Sequence, residues 1–286
     1  MTDLHGLHLP LITPFTASGA LALDALERLA GRVLDEGAAS LVALGTTAEV
    51  GSLTEDEKRS VLDVTSRVAR ERSVPLIAGA STAGALAALA EFPEITAALT
   101  LVPPFVRPGE DGVVAHFTHL AEVSPVPLIA YDIPYRTGQY LSAAALRRLA
   151  AIPGVAGVKY AAGGFNPDTM ALMGDLPEGF TVLGGDDIYI SPLLALGAHG
   201  GILASAHLAT ADFARLVEAW HAGEVAEARA LGHRLAGLSA ALFAEPNPTV
   251  VKAVLHSRGE IPTPHVRLPL LASGPGSLSA ALKELG

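Results

Sequence analysis

Residues 180–203 read FTVLGGDDIYISPLLALGAHGGIL. Residues 180–184 are an uncharged, largely apolar run, and residues 199–203 are a second short run closed by Gly200-Gly201-Ile202-Leu203. Between them, residues 187–196 carry apolar side chains at helical spacing. Two short runs of this kind joined by a helix form a parallel strand–helix–strand crossover, because parallel strands cannot be joined by a tight turn. The same unit recurs on both sides of this stretch. Strands are predicted over 7–13, 40–44, 75–79, 95–102, 126–131 and 155–159, with helices over 24–37, 54–72, 83–92, 111–123, 142–150, 166–173 and 210–222. Gly37 suits the end of the first helix, and Thr54 with Glu57 makes a capping box at the start of the second. Eight such units of about 27 residues fit a closed barrel of the (β/α)₈ type. The rival, an open doubly wound sheet, normally carries a glycine-rich phosphate loop after an early strand. Here the first strand runs into Thr13-Pro14-Phe15.

The class is therefore α/β, a (β/α)₈ TIM barrel over residues 1–222. A C-terminal helical extension follows over 223–286, with helices expected at 224–244, 248–256 and 278–285. Half of the 286 residues are hydrophobic and only 17% are charged, with a formal net charge of -10. That acidic balance disfavours nucleic acid and anionic membranes as partners. With no cysteine there is no disulfide and no thiolate chemistry. The opening MTDLHGLHLPLITPF lacks a basic, apolar leader, and no apolar run is long enough to span a bilayer. The expectation is a cytoplasmic protein acting on small molecules, and the mean hydropathy of +0.41 is read as deep burial plus a homo-oligomer interface.

In such a barrel the chemistry gathers at the C-terminal ends of the strands. Of only four lysines, Lys159 alone ends an apolar strand, Val155-Ala156-Gly157-Val158. A lysine stripped of water loses its proton more readily, and the neutral amine attacks carbonyls to form a Schiff base. Read alone, the position equally fits a lysine snorkelling to solvent. Tyr131 ends the fifth strand, and Arg136, five residues on, has the fork geometry to clamp a carboxylate. Thr46 and Thr47, in the turn after the second strand, can cradle a carboxylate or relay a proton, although a bare turn explains them as well. No metal is expected. His116, His119 and Glu122 read as a solvated helix face, His199 as packing, and Asp186 and Asp187 as helix N-caps.

Six motifs resemble the dihydrodipicolinate synthase and N-acetylneuraminate lyase family. They are GTTAE at 45–49, YDIPYRTG at 131–138, GVKYA at 157–161, GGDD at 184–187, GAHGGI at 197–202 and EPNP at 245–248. They occur in order over residues 7–285. The resemblance implies a pyruvate-dependent Schiff-base lyase without cofactor on a (β/α)₈ barrel, in a homo-oligomer, either dimer or tetramer. It assigns the imine to Lys159 and the proton shuttle to Tyr131. Thr46 would relay protons, and the backbone of Thr46 and Thr47 would hold the pyruvate carboxylate. Arg136 would grip the second substrate, with Gly185 and Ile202 on the pocket floor around the lysine. The arginine, EPNP and the GTT turn are similar to the synthase branch, which condenses pyruvate with aspartate semialdehyde in lysine biosynthesis.

The chain also departs from the family pattern. Phe105 stands where synthases carry a second relay tyrosine, and phenylalanine cannot pass a proton. Asp132 replaces an asparagine, Tyr160 follows the lysine where an acid is common, and Ala83 and Ala87 replace polar effector ligands. A 2-keto-3-deoxy-sugar-acid or 4-hydroxy-2-oxoglutarate aldolase would use the same lysine. A catalytically weakened, ligand-binding barrel is the reading of another class.

Overall fold

A computed structural model describes residues 4–286. Eight parallel strands close into a barrel in chain order. They are β1 (Gly6–Pro10), β2 (Ser40–Ala43), β3 (Leu76–Gly79), β4 (Ile95–Leu101), β5 (Leu128–Asp132), β6 (Val155–Tyr160), β7 (Thr181–Gly184) and β8 (Gly200–Ile202). β1 pairs with both β2 and β8, so no backbone edge is left open. The outcome matches the predicted architecture, with shorter strands at several ends. β1 stops at Pro10 rather than residue 13, and the Thr13 hydroxyl turns aside to donate to the Ala48 carbonyl at 2.8 Å. The predicted 187–196 helix is a short turn, Asp187–Tyr189, followed by Ile190–Ala195.

Residues of alternate parity face opposite sides of each strand. Val42, Ile77, Leu99, Ile129, Tyr131, Leu183 and Ile202 fill the barrel interior. Leu41, Leu76, Ala98, Leu128, Val158 and Tyr160 pack outward against the helices. This alternation aims Tyr131 and Lys159, directly paired across β5 and β6, into the barrel. It sends Tyr160 to the helix layer, where its hydroxyl meets Thr169 at 2.9 Å. The chain passes closely over the end of β3. A Cβ on Gly79 would sit 2.1 Å from the Leu44 carbonyl oxygen, so only glycine fits there.

After the helix Thr210–His221, the extension supplies Val225–Leu242, Thr249–Ser257 and Pro275–Leu285. Its first helix runs back towards the mouth of the barrel and packs against the Asp187–Tyr189 turn. The following loop reaches the opposite side, where the Asn247 amide donates to the Thr47 hydroxyl at 2.9 Å. Among the described residues, no helix is long and apolar enough to cross a membrane.

Candidate active site

A cavity of about 690 Å³ opens at the C-terminal ends of the strands. Thr46, Thr47, Tyr131, Arg136, Lys159, Gly185 and Ile202 all line it, although they come from six different segments. Lys159 is 5% exposed, and its Nζ lies 4.3 Å from the centroid of the Tyr131 ring. Burial pulls the ammonium down to about 8, against the nearby Asp187 and Asp186 carboxylates, which favour the charged form. Near neutrality about a tenth of the amine is then uncharged, over two orders of magnitude more than for a solvated lysine. The snorkelling alternative is thereby set aside.

Tyr131 is buried at the end of β5, with the Thr46 side chain lining the same cavity. Burial raises its phenol to about 12, so it stays protonated and can donate. Arg136 sits on the short helix Pro134–Thr137, exposed at the rim, with its guanidinium 5.3 Å from the Tyr135 ring and its Nε donating to the Tyr135 hydroxyl at 2.6 Å. Gly185 makes room for the lysine. A Cβ there would lie 2.8 Å from Lys159 Cε and 3.0 Å from the Ala161 Cβ.

One expectation requires correction. Asp186, at the N-cap of the Asp187–Tyr189 turn, makes no side-chain capping bond, and Asp187 lies within that turn. The Asp186 carboxylate accepts from the Gly163 amide at 2.7 Å, and that of Asp187 accepts from the Ser205 amide at 2.6 Å. Each thereby fastens a neighbouring loop beside the lysine. Burial raises both carboxyls, Asp187 to about 6. Phe105 does not line the cavity of its own chain. It is 90% exposed on the loop after β4, with φ +69°. Lys252, on the helix Thr249–Ser257, is fully buried as well, against Glu49.

Sequence reasoning also passed over the extension's share of the cavity, which includes Ser239, Phe243 and Asn247. Ser239 Oγ and Asn247 Oδ1 are buried there without hydrogen-bond partners among the described residues. The EPNP motif was the available signal for Asn247, and nothing in the sequence marks Ser239. Among the described residues no group of three acidic or histidine side chains has the geometry to hold a metal. His199 packs edge-on to His5, with ring centroids 4.9 Å apart, and accepts from the Val182 amide.

The arrangement thus offers a partly neutral amine, a protonated phenol, a threonine hydroxyl in the same cavity, and a guanidinium at the rim. That set can form an imine, move protons around it and hold an anionic second molecule. Residues 3–279 match the model of the dihydrodipicolinate synthetase family. The chain is 37% identical to a 4-hydroxy-tetrahydrodipicolinate synthase of Moorella thermoacetica, with 96% of each chain covered. It is 36% identical to the enzyme of that name from Neisseria gonorrhoeae, with 99% of each covered. Among solved structures it resembles the chloride-inhibited dihydrodipicolinate synthase of Acinetobacter baumannii complexed with pyruvate, at a TM-score of 0.93 and 33% identity, covering 99% of both chains.

Proposed function

The chain belongs to the dihydrodipicolinate synthetase family, and from that premise we propose how its residues condense pyruvate with aspartate semialdehyde. It is a lyase of the 4-hydroxy-tetrahydrodipicolinate synthase type, working through a Schiff base. The observation that carries the residue assignment is the buried Lys159 Nζ, set 4.3 Å from the ring centroid of Tyr131 in a cavity that Thr46 also lines.

Neutral Nζ adds to the pyruvate carbonyl, and loss of water leaves the imine. Tyr131 donates to the departing hydroxyl and is reprotonated through Thr46. The backbone amides of Thr46 and Thr47 hold the pyruvate carboxylate, and Gly185 and Ile202 form the floor. A methyl proton then passes back to the Tyr131–Thr46 pair, giving an enamine whose carbon attacks the aldehyde, and the aldehyde oxygen takes up that proton. Arg136 grips the carboxylate of that aldehyde. Attack of the substrate's own amine on the imine carbon closes the ring and frees Lys159. The balance is one water lost per pyruvate and aldehyde joined. No cofactor or metal enters these steps.

The barrel, residues 1–222, carries the imine chemistry, and the extension, 223–286, closes the cavity wall. Exposed Phe105, Val106, Tyr135 and Tyr140 occupy two loops joined by the Gly109 amide donating to Gln139, and they support a face for self-association into a homo-oligomer. A cytoplasmic setting is part of this proposal.

The test is borohydride reduction in the presence of pyruvate, read by peptide mass. The expected adduct maps to Lys159 and vanishes in Lys159→Ala together with turnover. An adduct on Lys58, Lys252 or Lys283 overturns the assignment. If a sugar-acid aldol is cleaved well while aspartate semialdehyde is refused, the substrate is wrong and the lysine chemistry survives.

A further inference from the structure

We propose that the buried Glu49–Lys252 pair is a positioning device, through which the C-terminal extension holds the Thr46–Thr47 turn in register with Lys159. This rests on the assignment of that turn to pyruvate binding. Glu49 directly follows the turn and adopts φ +56°, a left-handed conformation that a non-glycine residue holds only when its surroundings enforce it. The enforcement comes from far along the chain. One carboxylate oxygen accepts from Lys252 Nζ, and the other accepts from the Arg267 amide at 2.8 Å. Lys252 also donates to the His265 carbonyl at 2.9 Å and lies 4.1 Å from the centroid of the Phe15 ring. The Arg267 guanidinium, 4.4 Å from the same ring, grips both oxygens of Glu57 and donates to the Ser52 and Gly19 carbonyls.

Glu49 is tied just as tightly to the turn itself. Its amide donates to the Thr46 carbonyl at 3.2 Å, and its own carbonyl accepts from the Ser52 amide at 2.8 Å. A rotation of Glu49 is therefore a displacement of Thr46, which lines the cavity together with Tyr131 and Lys159. A fully buried ion pair is a weak source of stability, since removing two charges from water offsets most of their attraction. Its value here is geometric. It supplies a fixed anchor, 203 residues away in sequence, to a turn that lacks a regular strand or a long helix of its own.

Removing one partner strands a buried charge and risks the fold, so the test replaces both with neutral groups of similar size. Glu49→Gln/Lys252→Met is expected to melt close to the parent. Its kcat/KM for pyruvate is expected to fall about 10- to 100-fold, the scale of a sub-ångström to ångström misplacement. The KM for the aldehyde should stay within about twofold, because Arg136 belongs to the β5 loop. Amide hydrogen exchange over residues 45–53 should quicken about tenfold or more, as a local opening freed of its anchor. In Lys252→Ala, ethylammonium should restore kcat/KM for pyruvate saturably. A folded double variant with both exchange and pyruvate kinetics within twofold of the parent overturns the proposal. Equal losses towards both substrates also overturn it, since they would mean general support of the barrel. If the parent gives no adduct with pyruvate, the functional reading fails, and the exchange measurement still decides whether the pair holds the turn.

Discussion

Replacing Gly185 with alanine adds one methyl group against the side chain of Lys159. Gly185 does not adopt a left-handed backbone, so the whole effect is contact. The new Cβ would stand 2.8 Å from Cε and 2.9 Å from Cγ of the lysine, where ordinary contact begins at 3.4 Å. Ala161 at 3.0 Å blocks retreat of the methyl on that side, so the lysine must give way by about 0.6 Å towards the open cavity. At roughly a hundredfold per ångström of misplacement, the loss is about 10- to 30-fold in turnover. That is on the order of 1.4–2 kcal/mol in the barrier. Because the displaced group is a flexible tail beside empty space, stability should fall by no more than about 1 kcal/mol, the low end of overpacking costs. The assay pairs steady-state turnover with the rate of borohydride-trappable imine formation under saturating pyruvate. Both should fall together. A folded Gly185→Ala variant with both rates within twofold of the parent would refute the placement of Lys159 against this floor.

Arg136→Ala should raise KM for the aldehyde and lower its kcat/KM at least about tenfold, from loss of a charge-assisted contact, with pyruvate trapping nearly unchanged. The rate of imine formation should climb with pH and level off above about 8, because burial lowers the Lys159 ammonium to that value and only the neutral amine adds. A profile rising up to pH 10 would show a solvated lysine. Asp132 is buried, its Oδ1 lacks a partner among the described residues, and burial together with Asp186 raises its carboxyl to about 7. The folded chain thus holds a proton that the unfolded chain has lost between about 3.8 and 7, and stability from this group falls as pH rises through that window. Asp132→Asn should therefore stabilise by about 1–3 kcal/mol at pH 8 and by much less at pH 4, read from melting curves. Equal shifts at both values would contradict this.

The sequence was most informative where local pattern and global fold agree. Short apolar strands such as Val155-Ala156-Gly157-Val158 have only one way to bury both faces, and their regular alternation with helices leaves a closed parallel barrel as the economical solution. The Thr54 capping box forms as read, because its partners are three residues apart and need nothing else. Lys159, Tyr131 and Arg136 could be picked out because strand ends in such a barrel converge on one mouth whatever the loops do. Asp186 and Asp187 misled because the local option, capping the next turn, lost to amides of Gly163 and Ser205 that only folding brings within reach. Lys252 sits in an apolar run much like that before Lys159, yet its burial depends on Glu49 and Phe15 arriving from the other end of the chain. Asn247 meets Thr47 across 200 residues of chain. Periodicity and spacing reach only as far as neighbours along the chain. The partners that decide whether a charge is withdrawn from water, and which loop a carboxylate holds, are neighbours only in space, and closure of the barrel under its helical extension chose them.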